Sequence, residues 1–375
     1  MKIEIITDRR ELNALGGQWN ELLSASPADS IFLTWEWLSA WLDAVYPEAP
    51  LFVVAARSRD GRLHAVAPFY LSELHLMGLV KYRCLRPLGD CHCGAEYFDL
   101  IVRTGCEQPA LAAIADTLAK HRDAWDCIWV RNAADWTGAT DRLRDGLGNG
   151  AGYRHTRRRV FSAIELPDTY TQYLRRLSRS FRSNVSRQDK HLRSTRQVNV
   201  RCCHTHRELG GLLEALFALH RKRWESINQA GSFARHPAME RFYKRFSNIA
   251  LRRGWLRMFA LEVNGTIAAV QYGYAYGGCF YQMQEGFDTN GPRGVGNILR
   301  GEVIAACIEE GLKRYDFLGG FDEHKRHWRA CQRWGADVFV GCHGPKNRLL
   351  FARHIWPTGR YVREGRPASE VCRLA

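Results

Sequence analysis

Between residues 254 and 287 the chain reads as three strands in succession. "GWLRMFALEV" and "IAAVQYGYAY" are rich in β-branched and aromatic residues, and Asn264-Gly265 separates them. An Asn-Gly pair between two such runs predicts a tight hairpin, because both residues tolerate the positive φ that such a turn requires. Gly277-Gly278 turns the chain again into "CFYQMQEGF". The apolar period then changes from two to about 3.6, which predicts a helix over 297–310 with Gly311 as its stop. "RYDFLGG" after it is short, aromatic and strand-like. The predicted order is an antiparallel meander, a glycine-containing loop, a helix and a returning strand. That last step is long enough for a parallel crossover.

The first half carries an echo of this order. "LFVVAARS", Asp60-Gly61 and "RLHAVAPFYL" form a hairpin pattern, and "VKYRCLRPLG" and "YFDLIV" follow as further strand-like segments. A helix pattern over 108–121 leads into "DCIWVRN". Equivalent turns stand about 200 residues apart, so two related domains are expected rather than one large sheet. The glycine-rich "DGLGNGAGYRH" is the expected boundary. It gives an N-terminal domain of 1–150, a C-terminal domain of 151–345 and a basic tail of 346–375. The class is α/β with mixed sheets, in two tandem domains.

Charge alters the picture of partners more than of fold. The 375 residues carry 54 Lys and Arg against 39 Asp and Glu, a formal net charge of +15. Such an excess favours polyanions or phosphorylated small molecules. Part of it lies in 174–193, where Leu174, Leu177, Phe181, Val185 and Leu192 form one helical apolar stripe and Arg179 and Arg182 stand among the other positions. Thr169 and Gln172 just before it fit a capping box. This basic face is either solvated or an anion-binding surface, and both readings stay open. No run of about 18 apolar residues is present, so no membrane span is expected. A charged N-terminus and twelve scattered cysteines suit a reducing, cytoplasmic setting.

The chemistry turns on "TNGPRGVGNILRGEVI". A loop leaving a strand and entering a helix presents unpaired backbone N–H groups around Arg293, Gly294, Val295, Gly296 and Asn297, and glycines let a phosphate approach them. The sequence is neither a Walker loop nor a dinucleotide fingerprint. Meander, glycine loop, helix and aromatic strand resemble the GNAT acyltransferase core, whose pyrophosphate loop is written Gln/Arg-x-x-Gly-x-Gly/Ala. Gly294 and Gly296 match the glycines, Gly291 stands where Gln or Arg is usual, and Arg293 supplies charge nearby. The arginine-rich "LSRSFRSNVSRQDKHL", "EGFD" and "YDFLGGFDEHKRHW" resemble a narrower branch, the tandem GNAT proteins associated with bacterial cellulose and exopolysaccharide synthesis, similar in layout to Fem-type transferases.

The resemblance implies two tandem GNAT-like domains, the first degenerate, with acetyl-CoA or a longer acyl-CoA held by the second. It implies N-acyl transfer to a small molecule, sugar or polysaccharide precursor. Such a reaction needs a group to take the acceptor's proton and donors for the tetrahedral oxyanion. Asp322 lies in a stretch that resembles the family's Asp-Glu-x-x-Lys pattern, with the lysine one residue nearer, and Lys325 stands at the lysine of the Tyr-Lys-x-x-Phe/Trp loop of Fem-like relatives, with His324 replacing the tyrosine. Glu285 at the end of the third strand is either a base or an ordinary strand-end carboxylate. Arg179, Arg182 and Trp328 are candidates for the acceptor; Trp334 is expected in the core. One of Tyr272, Tyr274, Tyr276 and Tyr281 is expected as the acid for the leaving thiolate. The clusters "CHC" at 91–93 and "RCCHTH" at 201–206 lack the spaced pairs of a structural zinc site, so no metal is expected. The alternatives are a Fem-type transferase using aminoacyl-tRNA and a basic binding protein without catalysis.

Overall fold

The computed structural model describes residues 1–76, 79–148, 151–352 and 362–365. Two compact units emerge. One contains Met1–Cys91, Ala95–Arg159 and the described residues from Trp334 on; the other contains His92–Gly94 and Val160–Arg333.

The first unit carries strands β1 (Lys2–Ile6), β2 (Leu51–Arg57), β3 (Leu63–Leu76), β4 (Val80–Pro87), β5 (Ile101–Val102) and β6 (Cys127–Ala133). Strand β7 (Ala151–Glu165) leads into the second unit, which carries β8 (Val198–Cys202), β9 (Leu256–Val263), β10 (Thr266–Tyr276), β11 (Cys279–Phe287) and β12 (Arg314–Gly319). Strand β13 (Cys331–Cys342) returns to the first unit, where β14 (Val362–Gly365) also lies.

Both units use one plan. In the first, β2, β3 and β4 form an antiparallel meander. The helix Glu107–Lys120 then crosses to β6, which runs parallel to β4. In the second, β9, β10 and β11 form the meander, the helix Val295–Glu309 crosses over, and β12 runs parallel to β11. Asn264 (φ 51°) and Gly265 (φ 78°) make the two-residue turn between β9 and β10. The fold is mixed α/β, with a repeated meander and crossover.

The compact units divide the chain at other points than the expected boundaries. The end of the glycine-rich stretch belongs to the 15-residue β7, and the units part inside that strand, after Arg159. The second crossing falls at Arg333/Trp334, also inside a strand. Each unit borrows a strand: β13 pairs antiparallel with β6 in the first, β7 with β12 in the second. Part of the expected tail is built in, as a helix Pro345–Ala352 and as β14 on β3. The remainder of 346–375 lies outside the described residues.

The basic stretch is two helices, Tyr170–Arg176 and Arg179–Thr195. Leu177 turns extended (ψ 150°), and the Ser178 hydroxyl accepts from the Phe181 amide to cap the second helix. A serine cap competes successfully with helix continuation there, although the apolar period runs straight through. Leu177 and Leu192 still reach the core, packing with Tyr173, Leu299, Val303 and Tyr315.

Candidate functional site

The site in the second unit begins where two parallel strands separate. β11 and β12 pair only over Cys279–Tyr281 and Arg314–Asp316, and beyond those residues no register joins them. Ligands favour the crevice beyond the carboxyl ends of parallel strands, because the backbone groups there are open. A cleft of about 550 Å³ fills this gap, lined by Gln282–Glu285 and Phe317 and closed by the loop from Gly291 to Asn297. In the first unit, the residue just past the β4–β6 pairing is Arg86, buried and paired with buried Asp90 at 2.5 Å. Tyr70 donates to the same carboxylate at 2.9 Å. Side chains occupy that place in the first unit; in the second it is open.

Gly294 is the N-cap of the 15-residue helix and offers no side-chain acceptor to its first amides. The left-handed φ of 84° suits glycine, and an added Cβ would come 2.1 Å from Gln188 Oε1. Arg293 beside it is exposed and lines the cleft. The helix begins two residues earlier than expected, at Val295. Loop amides and the positive helix end favour an anion at this place.

The cleft's centre is a residue the sequence reading passed over. Arg300 is 3% exposed and lies on the helix after the loop. It donates to Glu285 Oε2 and to His324 Nε2. The guanidinium also sits 5.5 Å from the Phe317 ring centroid and 5.7 Å from that of Trp328. Glu285 accepts further from Arg223 Nη1 and Gln282 Nε2, both at 3.2 Å. Burial alone would raise the Glu285 pKa; Arg300 and Arg223 outweigh it and hold the carboxyl below its ordinary value. Desolvation and then the Arg300 charge push His324 down to about 4, so its imidazole is neutral near pH 7 and accepts from Arg300. One arginine between "NIL" and "GEVI", inside an otherwise apolar helix, was the available signal.

Other expected residues meet differently. Asp322, His324 and Lys325 all line the cleft. Asp322 is exposed and caps the short helix Glu323–His327 by accepting from the Lys325 amide at 2.9 Å. The Lys325 ammonium donates to the carbonyls of Phe317 and Gly320 at 3.2 Å and to that of Gly319. Those bonds tie down the exit of β12. Arg179, Arg182 and Trp328 come together, but around a separate hollow of about 520 Å³ floored by Leu174, Leu177 and Ile298. Trp334 is not in the core as expected, and Trp328 is buried although it lines that hollow. Trp328 is 1% exposed and packs edge-on to Phe181, whereas Trp334 is 43% exposed beneath Arg158.

Two of the four candidate tyrosines lie away from the cleft lining. Tyr272 and Tyr274 do share a face, but their hydroxyls bond one another and Tyr272 bonds Ser247, deep in the core and away from the cleft lining. Tyr315 is the hydroxyl beside the cleft wall, donating to Gln282 Oε1 at 2.9 Å. Among the described residues no group of three or more His, Cys, Asp or Glu is arranged to hold a metal. Thr205 and Glu208 form the capping box expected within "RCCHTH".

Residues 179–326 match the family described as acetyltransferase (GNAT) domain. The segment spans the basic helix, the meander, the loop and the Asp322–Lys325 turn. The fold of the chain is similar to that of FemX at 12% identity, covering 94% of this chain and 100% of that one with a TM-score of 0.61. It is also similar to a conserved protein of unknown function from Bacteroides thetaiotaomicron VPI-5482 (12% identity, 91% and 100% covered, TM-score 0.55). A third likeness is L-PGS from Bacillus licheniformis (11%, 95% and 99% covered, TM-score 0.50). At these identities the likenesses speak of fold alone. No curated protein matches the chain in sequence.

Proposed function

We propose that the GNAT domain catalyses transfer of an acyl group from acetyl-CoA or a longer acyl-CoA to an amino group of a small molecule, sugar or cell-envelope or exopolysaccharide precursor. The supporting observation is the cleft between the parted strands β11 and β12, walled by the uncapped loop Gly294–Asn297 with Arg293 at its rim. The loop amides and Arg293 hold the donor's phosphates. Past Tyr281, alternate N–H groups on the β12 side of β11 have no strand partner, and they serve as donors to the thioester carbonyl as it becomes an oxyanion. Asp322 is the better base, directly or through one water, because Glu285 is committed to two guanidiniums. Arg300 and Glu285 set the floor, and Lys325 fixes the turn that carries Asp322. When the amine attacks, its proton passes to Asp322, the C–S bond breaks and the thiolate leaves with the CoA.

The basic helix 179–195 supports the second reading, a Fem-type transfer from aminoacyl-tRNA, which needs a polyanion surface. One experiment separates the two. Acetyl-CoA and a longer acyl-CoA at saturation should raise the melting temperature of the full chain, as a ligand of the native state does. Arg293→Glu, at an exposed position, should remove most of that shift. Gly294 is a poorer probe, since its substitution disturbs Gln188 directly. Absence of any shift in the wild-type protein, with tight and steeply salt-dependent tRNA binding instead, overturns the acyl-CoA reading.

A further inference from the structure

Beside the glycine loop lies a third hollow in the second unit, of about 770 Å³, between the basic helix and Pro292-Arg293. Arg187, His191 and Arg196 line it together with Arg293. The neighbouring Arg193 on the same helix is paired with Asp189 and with Glu302, both at 2.7 Å. Arg196 and Arg293 have no carboxylate partner among the described residues, and Arg187 bonds only the Asn184 side-chain amide, at 3.1 Å. Cations without carboxylate partners gathered around one concavity raise the local positive potential, which favours an anion there. The hollow shares Arg293 with the donor cleft, so the two are continuous along the loop. Gln188, whose buried Oε1 has no hydrogen-bond partner, lies against Gly294 at the join.

We infer that this hollow is a second phosphate subsite, which takes a phosphomonoester on the tail of a nucleotide-bearing donor while the loop takes its pyrophosphate. Resting on the acyl-CoA reading above, the inference assigns Arg187 and Arg196 to the ribose 3′-phosphate of the CoA. A phosphomonoester carries close to two negative charges near neutral pH and three acceptor oxygens, which suits several guanidinium forks converging from one helix and one loop. The basic helix thereby becomes a reader of the donor's nucleotide end.

The test compares acetyl-CoA with acetyl-3′-dephospho-CoA by calorimetric titration of the full chain. Wild-type protein should bind the phosphorylated donor about tenfold more tightly, the effect of charge-assisted contacts weakened by screening at an exposed surface. Arg187→Ala/Arg196→Ala, both at exposed positions, should abolish the preference and leave affinity for the dephospho donor within about twofold, since neither arginine has a phosphate to meet on that donor. Arg252→Glu, exposed on another helix, controls for net charge and should keep the preference. Two donors bound equally by the wild type, or a preference that survives in the double variant, overturn the subsite while leaving the donor assignment intact. Failure of either donor to bind removes both. Loss of tRNA binding in the double variant, with the donor preference unchanged, assigns the arginines to nucleic acid instead.

Discussion

Replacing Arg300 by methionine tests the centre of the site. Methionine keeps most of the apolar stem against Phe317 and Trp328 and removes the charge. Breaking a buried ion pair by deleting one partner costs about 3–5 kcal/mol, because the other charge stays behind. Two features reduce that here. The Glu285 side chain is 22% exposed, and Arg223 still holds it at 3.2 Å. About 2–3 kcal/mol is therefore expected, or roughly 5–10 °C in melting temperature for a domain of this size. Denaturant unfolding should show a fall in midpoint, and Glu285→Gln added to Arg300→Met should recover at least about 1 kcal/mol of the loss, since the pair is in direct contact. The pH dependence follows from the lowered Glu285 pKa. A depressed carboxyl stabilises the fold above its unfolded pKa and loses that contribution as pH falls through its folded value. The gap between wild type and Arg300→Met should thus be widest above about pH 4.3 and shrink on acidification. The His324 resonance should titrate higher than about 4 once the guanidinium is gone. A loss below about 1 kcal/mol with additive double-variant energetics would refute the proposed coupling.

Three further outcomes are expected. Asp322→Asn should keep the helix cap and melt like wild type while slowing acyl transfer about 10²–10⁴-fold, whereas Lys325→Met should chiefly lower the melting temperature; equal turnover in both places the base elsewhere. Gly294→Ala should destabilise, through its positive φ and the Gln188 contact, and Gln188→Ala should restore only the part due to contact; full rescue measured by thermal melting would show that φ is not strained. His220 is buried, accepts from the Trp224 indole at 3.0 Å, and is held at about 4 by burial and by Arg223 and Arg235. Its unfolded form binds a proton near 6.5, so stability should be complete above that pH and decline as pH falls from about 6.5 to 4; His220→Gln should flatten this slope in pH-dependent melts.

The local chemistry of the chain settled its elements. Apolar period, Asn264-Gly265, Gly277-Gly278 and Gly311 depend on neighbours a few residues away, so β9 to β12, the crossover helix and the loop could be placed within a residue or two. The repeat of meander and crossover in the first unit was legible in order, though β3 runs on to Leu76 and only Ile101–Val102 of "YFDLIV" is a strand. Periodicity overlooked the break at Leu177–Ser178, where a single hydroxyl outcompetes helix continuation. Packing between distant segments decided the rest. Whether Lys325 faces a ligand or three carbonyls depends on where β12 ends, and which tryptophan is buried depends on what lies over it. The exchange of β7 and β13 between units left no local mark, because a strand's sequence records that it pairs and not with whom. Arg300 could be noticed in sequence only as an oddity in an apolar helix. Its meaning came from Glu285 and His324, 15 and 24 residues away along the chain and brought within hydrogen-bond reach by the parting of two strands. Charge is a property of the sequence, but pairing is a property of distance, and distance belongs to the fold.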